Sequence, residues 1–306
     1  MDSMHVDVLI TLLNPICRPP PRTVFLMNVF RIALILALHL ASGVIAQADV
    51  TDFGTWSLVE DPAHAGFSAT ALGTSATLSA ADLAIPAGTD IGYQSVNGST
   101  PQTSTSGFYF SPDADFSLAI DYAWTFSNSP SGFLGLGFGI GEDGDGMNSA
   151  GVAMGTSNGS PFLSFGGAAR INDVDQPAVA LGGNPFLNPS SASGTLFVAY
   201  QASSGDVIVG ATAAPGAAAP TLSYTYAGIQ NQWSGDGLMP SFFIRSDAPA
   251  TLSTWGGGNA DAVFSNFRVL NGNPVAIPEP STAVASLFLV PALICRRTRT
   301  GVHRRR

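Results

Sequence analysis

The stretch DFSLAIDYAWTF, residues 115–126, decides the fold, because apolar side chains alternate in it with small or polar ones. Successive side chains of a β-strand point to opposite faces of the sheet, so a period of two indicates a half-buried strand. The stretch therefore predicts a strand that buries one face against a core. The positions predicted to face that core are Phe116, Leu118, Ile120, Tyr122, Trp124 and Phe126.

The same alternation recurs along the body of the chain, and Asn-Gly and Asp-Gly turn signals separate the runs. The body shows no convincing helical period, which predicts an all-β, two-sheet antiparallel sandwich. A long loop is expected over residues 172–193, lying on one rim. Further strands are predicted in FLGLGFGI (133–140), GTLFVAYQ (194–201), TLSYTY (221–226), LMPSFFIRS (238–246) and DAVFSNFRVL (261–270), the last with a bulge.

The charge of the chain is unevenly distributed. The formal net charge is -9 and the chain has no lysine, so every one of its 12 basic residues is arginine. Residues 47–272 hold 18 acidic residues and only 3 arginines. A body with this negative charge repels the phosphate backbone of nucleic acids, which argues against nucleic-acid binding.

Cysteine does not stabilise this body, since Cys17 and Cys295 both lie outside it. A secreted domain without disulfides must rely on its hydrophobic core, and a body of this length can bury one.

The N-terminal region has the features of a secretory signal peptide. Arg31 supplies a positive charge, residues 32–40 form an apolar run, and Ala46-Gln47-Ala48 offers a small-x-small cleavage site, with Ala46 and Ala48 as its small residues. Residues 1–48 are therefore predicted to be the signal region, with Met27 as the true start. One long signal segment is the alternative. The body then covers residues 49–272.

The C-terminal segment, residues 273–306, has three parts in order. Pro278-Glu279-Pro280 is followed by an apolar run over 283–295 and then by arginines from Arg296. An apolar run followed by a basic cluster favours a membrane helix with its C-terminus on the cytoplasmic side. A span needs about 20 residues, so this short run predicts only a transient or weak membrane contact.

PEPSTAVASLFLVPALICRR, residues 278–297, resembles the PEP-CTERM sorting signal of bacterial exported proteins. In that family a membrane-embedded exosortase reads the Pro-Glu-Pro triplet. The resemblance implies an exosortase-type processing enzyme as a partner. It also implies delivery to the cell surface, the outer envelope or the extracellular matrix. A plain C-terminal anchor is the alternative.

The order of strands in the body resembles the concanavalin A-like lectin/glucanase sandwich. The resemblance rests on four segments, and a different jelly-roll sandwich is the alternative. These segments are FSLAIDYAW (116–124), GLGFGIGEDGDG (135–146), GTLFVAYQASSGDVIVG (194–210) and AVFSNFRVLNG (262–272).

Catalytic residue sets are missing from the body sequence. Glucanases of this fold class carry Glu-x-Asp-x-Glu or a near variant on one strand, but Glu60 and Glu142 are the only glutamates of the body and neither lies in such a motif. His64 is its only histidine, so neither a Ser-His-Asp triad nor a zinc site with several histidine ligands is supported.

One acidic turn is a candidate metal site. In GEDGDGMN, Asp143, Asp145 and Asn148 offer hard oxygen ligands on a Gly-rich turn, which is the chemistry that Ca²⁺ prefers. The turn does not follow the EF-hand pattern, and a solvated turn is the alternative interpretation.

Two tryptophans are candidates for carbohydrate binding. Trp233 and Trp255 lie in Gly-rich, loop-like settings, where a flat ring can stack on a pyranose. Packing beneath a loop is the alternative for both. Trp56 and Trp124 lie in strand patterns and are expected in the core.

Together these features predict an exported, non-catalytic protein of the cell surface or extracellular matrix that binds polysaccharide, with exopolysaccharide as a partner. The alternative is a secreted polysaccharide-degrading enzyme of the glucanase-like sandwich class.

Overall fold

The structure is a computed structural model that describes residues 50–81, 84–126, 133–144, 146–157, 165–182, 191–247 and 259–277. All of these residues belong to one of the two compact units of the chain, the unit that begins at Ala48.

The described residues form strands and three short 3₁₀ turns, and no α-helix occurs among them. The strands are β1 (Ser57–Asp61), β2 (Phe67–Leu72), β3 (Ser75–Ala80), β4 (Thr89–Gln94), β5 (Phe108–Tyr109), β6 (Phe116–Phe126), β7 (Phe133–Gly141), β8 (Ser149–Ser157), β9 (Phe165–Ile171), β10 (Val174–Asp175), β11 (Val179–Gly182), β12 (Ser191–Gln201), β13 (Asp206–Thr212), β14 (Leu222–Tyr226), β15 (Met239–Asp247), β16 (Ala260–Asn271) and β17 (Val275–Ala276).

Two antiparallel sheets pack on each other, which confirms the predicted all-β sandwich. The first sheet has the order β1-β4-β15-β7-β8-β9-β10, and β11 also pairs with β9. The second sheet has the order β14-β13-β12-β6-β16-β3-β2. A separate pair, β17 with β5, extends the described fold beyond the predicted boundary at Gly272.

Strand β6 lies at the centre of the second sheet, between β12 and β16, and confirms the alternation that predicted it. Leu118, Ile120 and Trp124 are 0% exposed and face the first sheet. Burial of three such side chains contributes about 1.5–3 kcal/mol each to folding. Asp121, on the opposite face of the strand, meets the bulge of β16.

That bulge is the one expected in the last long strand. The register between β16 and β6 shifts between Ser265 and Arg268, and Asn266 adopts a left-handed backbone with φ of 50°. One extra residue in β16 lets both Phe264 and Phe267 turn into the core, where they are 0% and 2% exposed.

Aromatic rings fill one end of the space between the sheets. The Trp56 ring centroid lies 5.3 Å from that of Phe53, 5.5 Å from those of Phe108 and Phe242, and 5.1 Å from that of Phe267. Edge-to-face pairs of this kind add to the free energy of burial. Trp56 and Trp124 are therefore core residues, as predicted.

The region predicted as one long rim loop, residues 172–193, is only partly a loop. Asn172 and Asp173 have φ of 50° and 67° and form a two-residue hairpin turn between β9 and β10. Residues 179–182 then return as β11 alongside β9. The prediction of a loop was wrong for these residues, because asparagine and aspartate accept the positive φ that a tight hairpin requires.

Several predictions concern residues outside the described ranges. They are the signal region with Met27, Ala46 and Ala48, the sorting motif Pro278-Glu279-Pro280, the run 283–295 and both flanking helices. Among the described residues, no helix has the length and apolarity needed to cross a membrane.

Candidate functional site

From residue 135 to residue 141, one face of the central strand of the first sheet has no side chains. Along β7, the residues from Leu134 to Ile140 that point inward are apolar and at most 1% exposed. The intervening positions point away from the core, and we call this side of the first sheet its outer face. On β7 the outer face carries glycine at four successive positions, Gly135, Gly137, Gly139 and Gly141.

The lack of side chains continues onto β8. The register pairs Gly139 with Gly151 and Gly135 with Gly155, and the residue between them is Ala153. The outer face of these two strands therefore carries backbone atoms and one methyl group, and we call it the glycine furrow. The four glycines of β7 are themselves buried.

An aromatic ring from β15 lies on this furrow. Phe243 is the direct cross-strand partner of Gly137. A Cβ atom on Gly137 would come within 2.5 Å of Cζ and 2.9 Å of Cε1 of that ring. The tip of the ring thus lies directly over the glycine, and the side chain is half-buried.

A second ring does the same one strand further along. Phe133, at the start of β7, lies over Gly155, where a Cβ would come within 2.5 Å of Cε2 and 3.0 Å of Cε1. Its ring is also half-buried. The two rings are offset by about 7 Å along the strands and about 5 Å across them, from the spacing of the glycines beneath them. We call Phe133 and Phe243 the ring platform.

A charged pair borders the ring platform. Arg245 lies two residues after Phe243 on the same face of β15, and its Nη1 lies 3.1 Å from Oδ2 of Asp90 on β4. The side chains of Arg245 and Asp90 are 39% and 23% exposed. We call these two residues the polar edge. Asp61 on β1 is the direct cross-strand partner of Asp90, so it shares the outer face.

The pKa of Asp90 in the polar edge is shifted by its surroundings. Burial raises the pKa of Asp90 from 3.8 to about 6; Arg245 lowers it and Asp61 raises it. Desolvation has a larger effect on this pKa than the ion pair has. A partly buried carboxylate loses more hydration free energy than the attraction of one neighbouring guanidinium compensates.

The predicted Ca²⁺ loop is closed by its own backbone. Asp143 accepts hydrogen bonds from the amides of Met147 (2.7 Å) and Asn148 (3.3 Å). Oδ1 of Asn148 accepts from the Asn172 amide at 2.7 Å, which ties the loop to the β9–β10 turn. Asp145 lies outside the described residues. In the part of the chain that the structure describes, no group of three or more acidic, histidine or cysteine side chains is placed to hold a metal ion.

Glu142 anchors the neighbouring segment. It is 4% exposed, and its carboxylate accepts hydrogen bonds from the amides of Ser234 (2.8 Å) and Gly235 (2.6 Å). Burial raises the pKa of Glu142, although these two bonds lower it. Both carboxylate oxygens are occupied, which indicates a structural role.

Trp233 does not lie on the surface as a sugar platform requires. It is 7% exposed, and its Nε1 donates to the carbonyl oxygen of Arg170 at 3.2 Å. Glu142 holds the segment that directly follows Trp233. The buried ring therefore agrees with the alternative interpretation, in which Trp233 packs under a loop. Trp255 lies outside the described residues.

A buried carboxylate on the second sheet also has a structural role. Asp121 is 8% exposed and accepts from Thr195 Oγ1 (2.7 Å), Asn266 Nδ2 (2.7 Å) and the Gly216 amide (3.0 Å), and it pairs with Arg268 at 3.2 Å. Burial alone would raise the pKa of Asp121, but these hydrogen bonds outweigh it and lower the pKa. The network fixes the segment after β13 and the bulge of β16.

The ring platform and the polar edge were not predicted from the sequence. Strand β7 was predicted, and its glycines were noted as small partners of the apolar residues. The unused signal was that every outward position from 135 to 141 is glycine. Glycine inside a strand marks a place where another group approaches the backbone closely, and on Gly137 that group is the ring of Phe243.

Comparisons with known proteins found no matching family model and no matching curated protein. Among solved structures, an alginate lyase from Klebsiella pneumoniae is 10% identical, with 73% of this chain and 98% of that chain covered and a TM-score of 0.41. An endo-1,3-beta-glucanase from Streptomyces sioyaensis is 10% identical, with 70% and 90% covered and a TM-score of 0.40. The alginate lyase PA1167 from Pseudomonas aeruginosa is 16% identical, with 71% and 98% covered and a TM-score of 0.42. Similarities of this size establish neither an activity nor a ligand for this chain.

Proposed function

We propose that this protein is an exported, non-catalytic polysaccharide-binding protein of the cell surface or extracellular matrix. Its sugar site is the outer face of the first sheet. The observation that carries the proposal is the ring platform, in which the half-buried rings of Phe133 and Phe243 lie directly over Gly155 and Gly137.

Partly exposed rings on a sheet suit a sugar chain. The C–H face of a pyranose is apolar and packs on an aromatic ring, and the glycines beneath let both rings lie close to the sheet. Two rings on neighbouring strands hold successive sugar units of a polymer, whereas a single ring holds one.

The polar edge sets the orientation of the bound sugar. Arg245 carries donors and Asp90 carries acceptors, with their nearest atoms 3.1 Å apart. A sugar hydroxyl both donates and accepts hydrogen bonds, so two neighbouring hydroxyls match such a pair. The pair fixes which way round the sugar lies on the rings.

The predicted address completes the proposal. The signal region ending at Ala46-Gln47-Ala48 directs export, and an exosortase-type enzyme reads Pro278-Glu279-Pro280. Export places the ring platform in the compartment where exopolysaccharide accumulates.

The test compares Phe243→Ala with the unchanged exported protein in binding to a panel of immobilised neutral and acidic polysaccharides. Loss of a stacked ring removes roughly 1–2 kcal/mol of contact, so the dissociation constant for the bound polymer rises about tenfold. Tyr224→Ala is the matched control, because Tyr224 is an aromatic residue, 39% exposed, on β14 of the other sheet. Equal binding by Phe243→Ala and the unchanged protein refutes the proposed site.

One observation favours a second function, polysaccharide hydrolysis. Asp61 and Asp90 are direct cross-strand partners, and Asp90 has a pKa of about 6. Directly opposed residues have Cβ atoms about 4.5–5.5 Å apart, and retaining glycosidases hold their two carboxyls about 5–5.5 Å apart. Release of reducing ends from a bound polymer, lost in Asp90→Asn, would establish this function in place of the non-catalytic one.

A further inference from the structure

We infer that the outer face of the first sheet selects neutral polysaccharides and rejects polyanionic ones such as polyuronates. This inference rests on the proposed function, and it names the class of sugar that the ring platform takes.

A polyuronate needs a cation that is free to pair with its carboxylates. The chain has no lysine, and the described residues contain three arginines. Each of the three forms an ion pair within the protein. The pairs are Arg245 with Asp90 at 3.1 Å, Arg268 with Asp121 at 3.2 Å, and Arg170 with Asp173 at 2.5 Å and with Asp175 at 2.9 Å.

Arg170 lies on the same outer face, at the level of Gly141, where Asp173 and Asp175 pair with it. Arg245 is the arginine that borders the ring platform, and acidic groups lie beside it. Asp90 pairs with it directly, and Asp61 lies beside Asp90 on the same face, exposed to solvent. Above a pH of about 6, where Asp90 is ionised, two carboxylates stand against one guanidinium. A sugar carboxylate approaching the platform therefore meets net negative charge at short range.

The same groups favour an uncharged sugar. The pair of Arg245 and Asp90 presents donors and acceptors with no net charge, which matches the hydroxyls of a neutral hexose. The rings of Phe133 and Phe243 and the glycine furrow contribute apolar contact, which is insensitive to charge. A neutral polymer therefore gains every contact of the face without repulsion from Asp61.

The first experiment measures the affinity of the exported protein for soluble β-1,3-glucan, mannan and alginate of matched length, at pH 7.5 and about 20 mM salt. We expect at least one neutral polymer to bind at least tenfold more tightly than alginate. Raising the salt to about 0.5 M shortens the screening length to a few ångströms, so we expect alginate to recover part of the gap. Alginate binding that equals or exceeds neutral binding at low salt overturns the inference.

A pair of charge reversals tests whether the selection is local. Asp61→Lys places a cation on the outer face beside the polar edge. Glu60→Lys makes the same change of charge on the adjacent exposed residue, whose side chain points to the opposite face of β1. We expect Asp61→Lys to raise the ratio of alginate to neutral affinity at least fivefold and Glu60→Lys to raise it less than twofold. Equal effects of the two variants refute local selection, since overall charge alone would then set the ratio.

The outcomes separate the two proposals. Alginate binding that depends on Phe243 and equals or exceeds neutral binding at low salt leaves the polysaccharide site intact and refutes the selection for neutral sugars. An absence of Phe243-dependent binding to every polymer refutes the site, and the selection with it.

Discussion

Replacing Gly137 by alanine tests the packing that creates the ring platform. The new Cβ would lie 2.5 Å from Cζ of Phe243 and about as close to the rest of the ring edge, at 2.9 and 3.1 Å from Cε1 and Cε2. The ring must lift off the sheet, and overpacking of this kind costs about 1–3 kcal/mol. Removing a glycine from a strand returns about 0.5–1 kcal/mol, so we expect a net loss of about 1 kcal/mol.

The same substitution should change sign when the ring is absent. In a Phe243→Ala background nothing of the ring opposes the new methyl group, so Gly137→Ala should stabilise by about 0.5–1 kcal/mol. The coupling between the two positions is then about 2 kcal/mol, within the range seen for residues in contact. The assay is a double-mutant cycle by urea unfolding at equilibrium, with unfolding free energies compared at equal slopes.

Gly135→Ala is the internal control for this cycle. It lies two residues away on the same face, and its Cβ would be no closer than 3.3 Å to Cε1 of Phe133 and 3.4 Å to the carbonyl oxygen of Met154. We expect it to leave stability unchanged or slightly raised. If Gly137→Ala has the same effect with and without Phe243, the ring does not rest on Gly137 and the reasoning fails.

Three further predictions concern ionisable groups. Asp121→Asn should destabilise the protein by about 3 kcal/mol at pH 7, because it leaves a largely buried Arg268 without its carboxylate. The pKa of Asp121 is lowered in the folded protein, so its ionised carboxylate stabilises the fold at pH values above 3.8, and this stabilisation is lost as the pH falls further. The difference in melting temperature between Asp121→Asn and the unchanged protein should therefore disappear at low pH. Asp90 has the opposite sign: its folded pKa of about 6 exceeds 3.8, so stability falls as the pH rises from 4 to 6, and Asp90→Asn should flatten this slope. Finally, the oxygens of Asp143 and Asn148 already accept backbone amides, so the melting temperature in EDTA should equal that in millimolar Ca²⁺; a rise of several degrees with Ca²⁺ would show instead that the loop binds the ion.

The fold was predictable from the strands with large alternating side chains. In strand β6 and the long strands around it, bulky residues such as Leu118 and Trp124 at alternate positions indicate which face is buried. Strands β3 and β8 were not predicted, because their sequences SATLSA and SAGVAMGTS consist mostly of small residues, with Leu78, Val152 and Met154 as the only large apolar ones. The difference in hydrophobicity between alternate positions is too small there for a period of two to be recognised. These residues form strands because they pair with neighbouring strands.

The site was less predictable, since register brings its parts together. Phe243 and Gly137 are each in a predicted strand, but only the pairing of β15 with β7 places one over the other. Asp90 and Arg245 are separated by 155 positions in the sequence. Trp233 was predicted as a surface ring from its Gly-rich context, but Glu142 holds the segment directly after it and the ring is 7% exposed.

The pairing of the arginines has a consequence for the resistance of the folded protein to proteases. An enzyme of the trypsin type cuts after basic residues, and the described residues offer it only Arg170, Arg245 and Arg268. All three lie inside strands, in β9, β15 and β16, and each is held by a carboxylate. A protease needs an extended, unpaired segment, so cutting at these bonds must await the opening of a sheet. The rate of such cleavage then measures how often the sandwich opens, and the lysine-free composition makes the folded body a poor substrate.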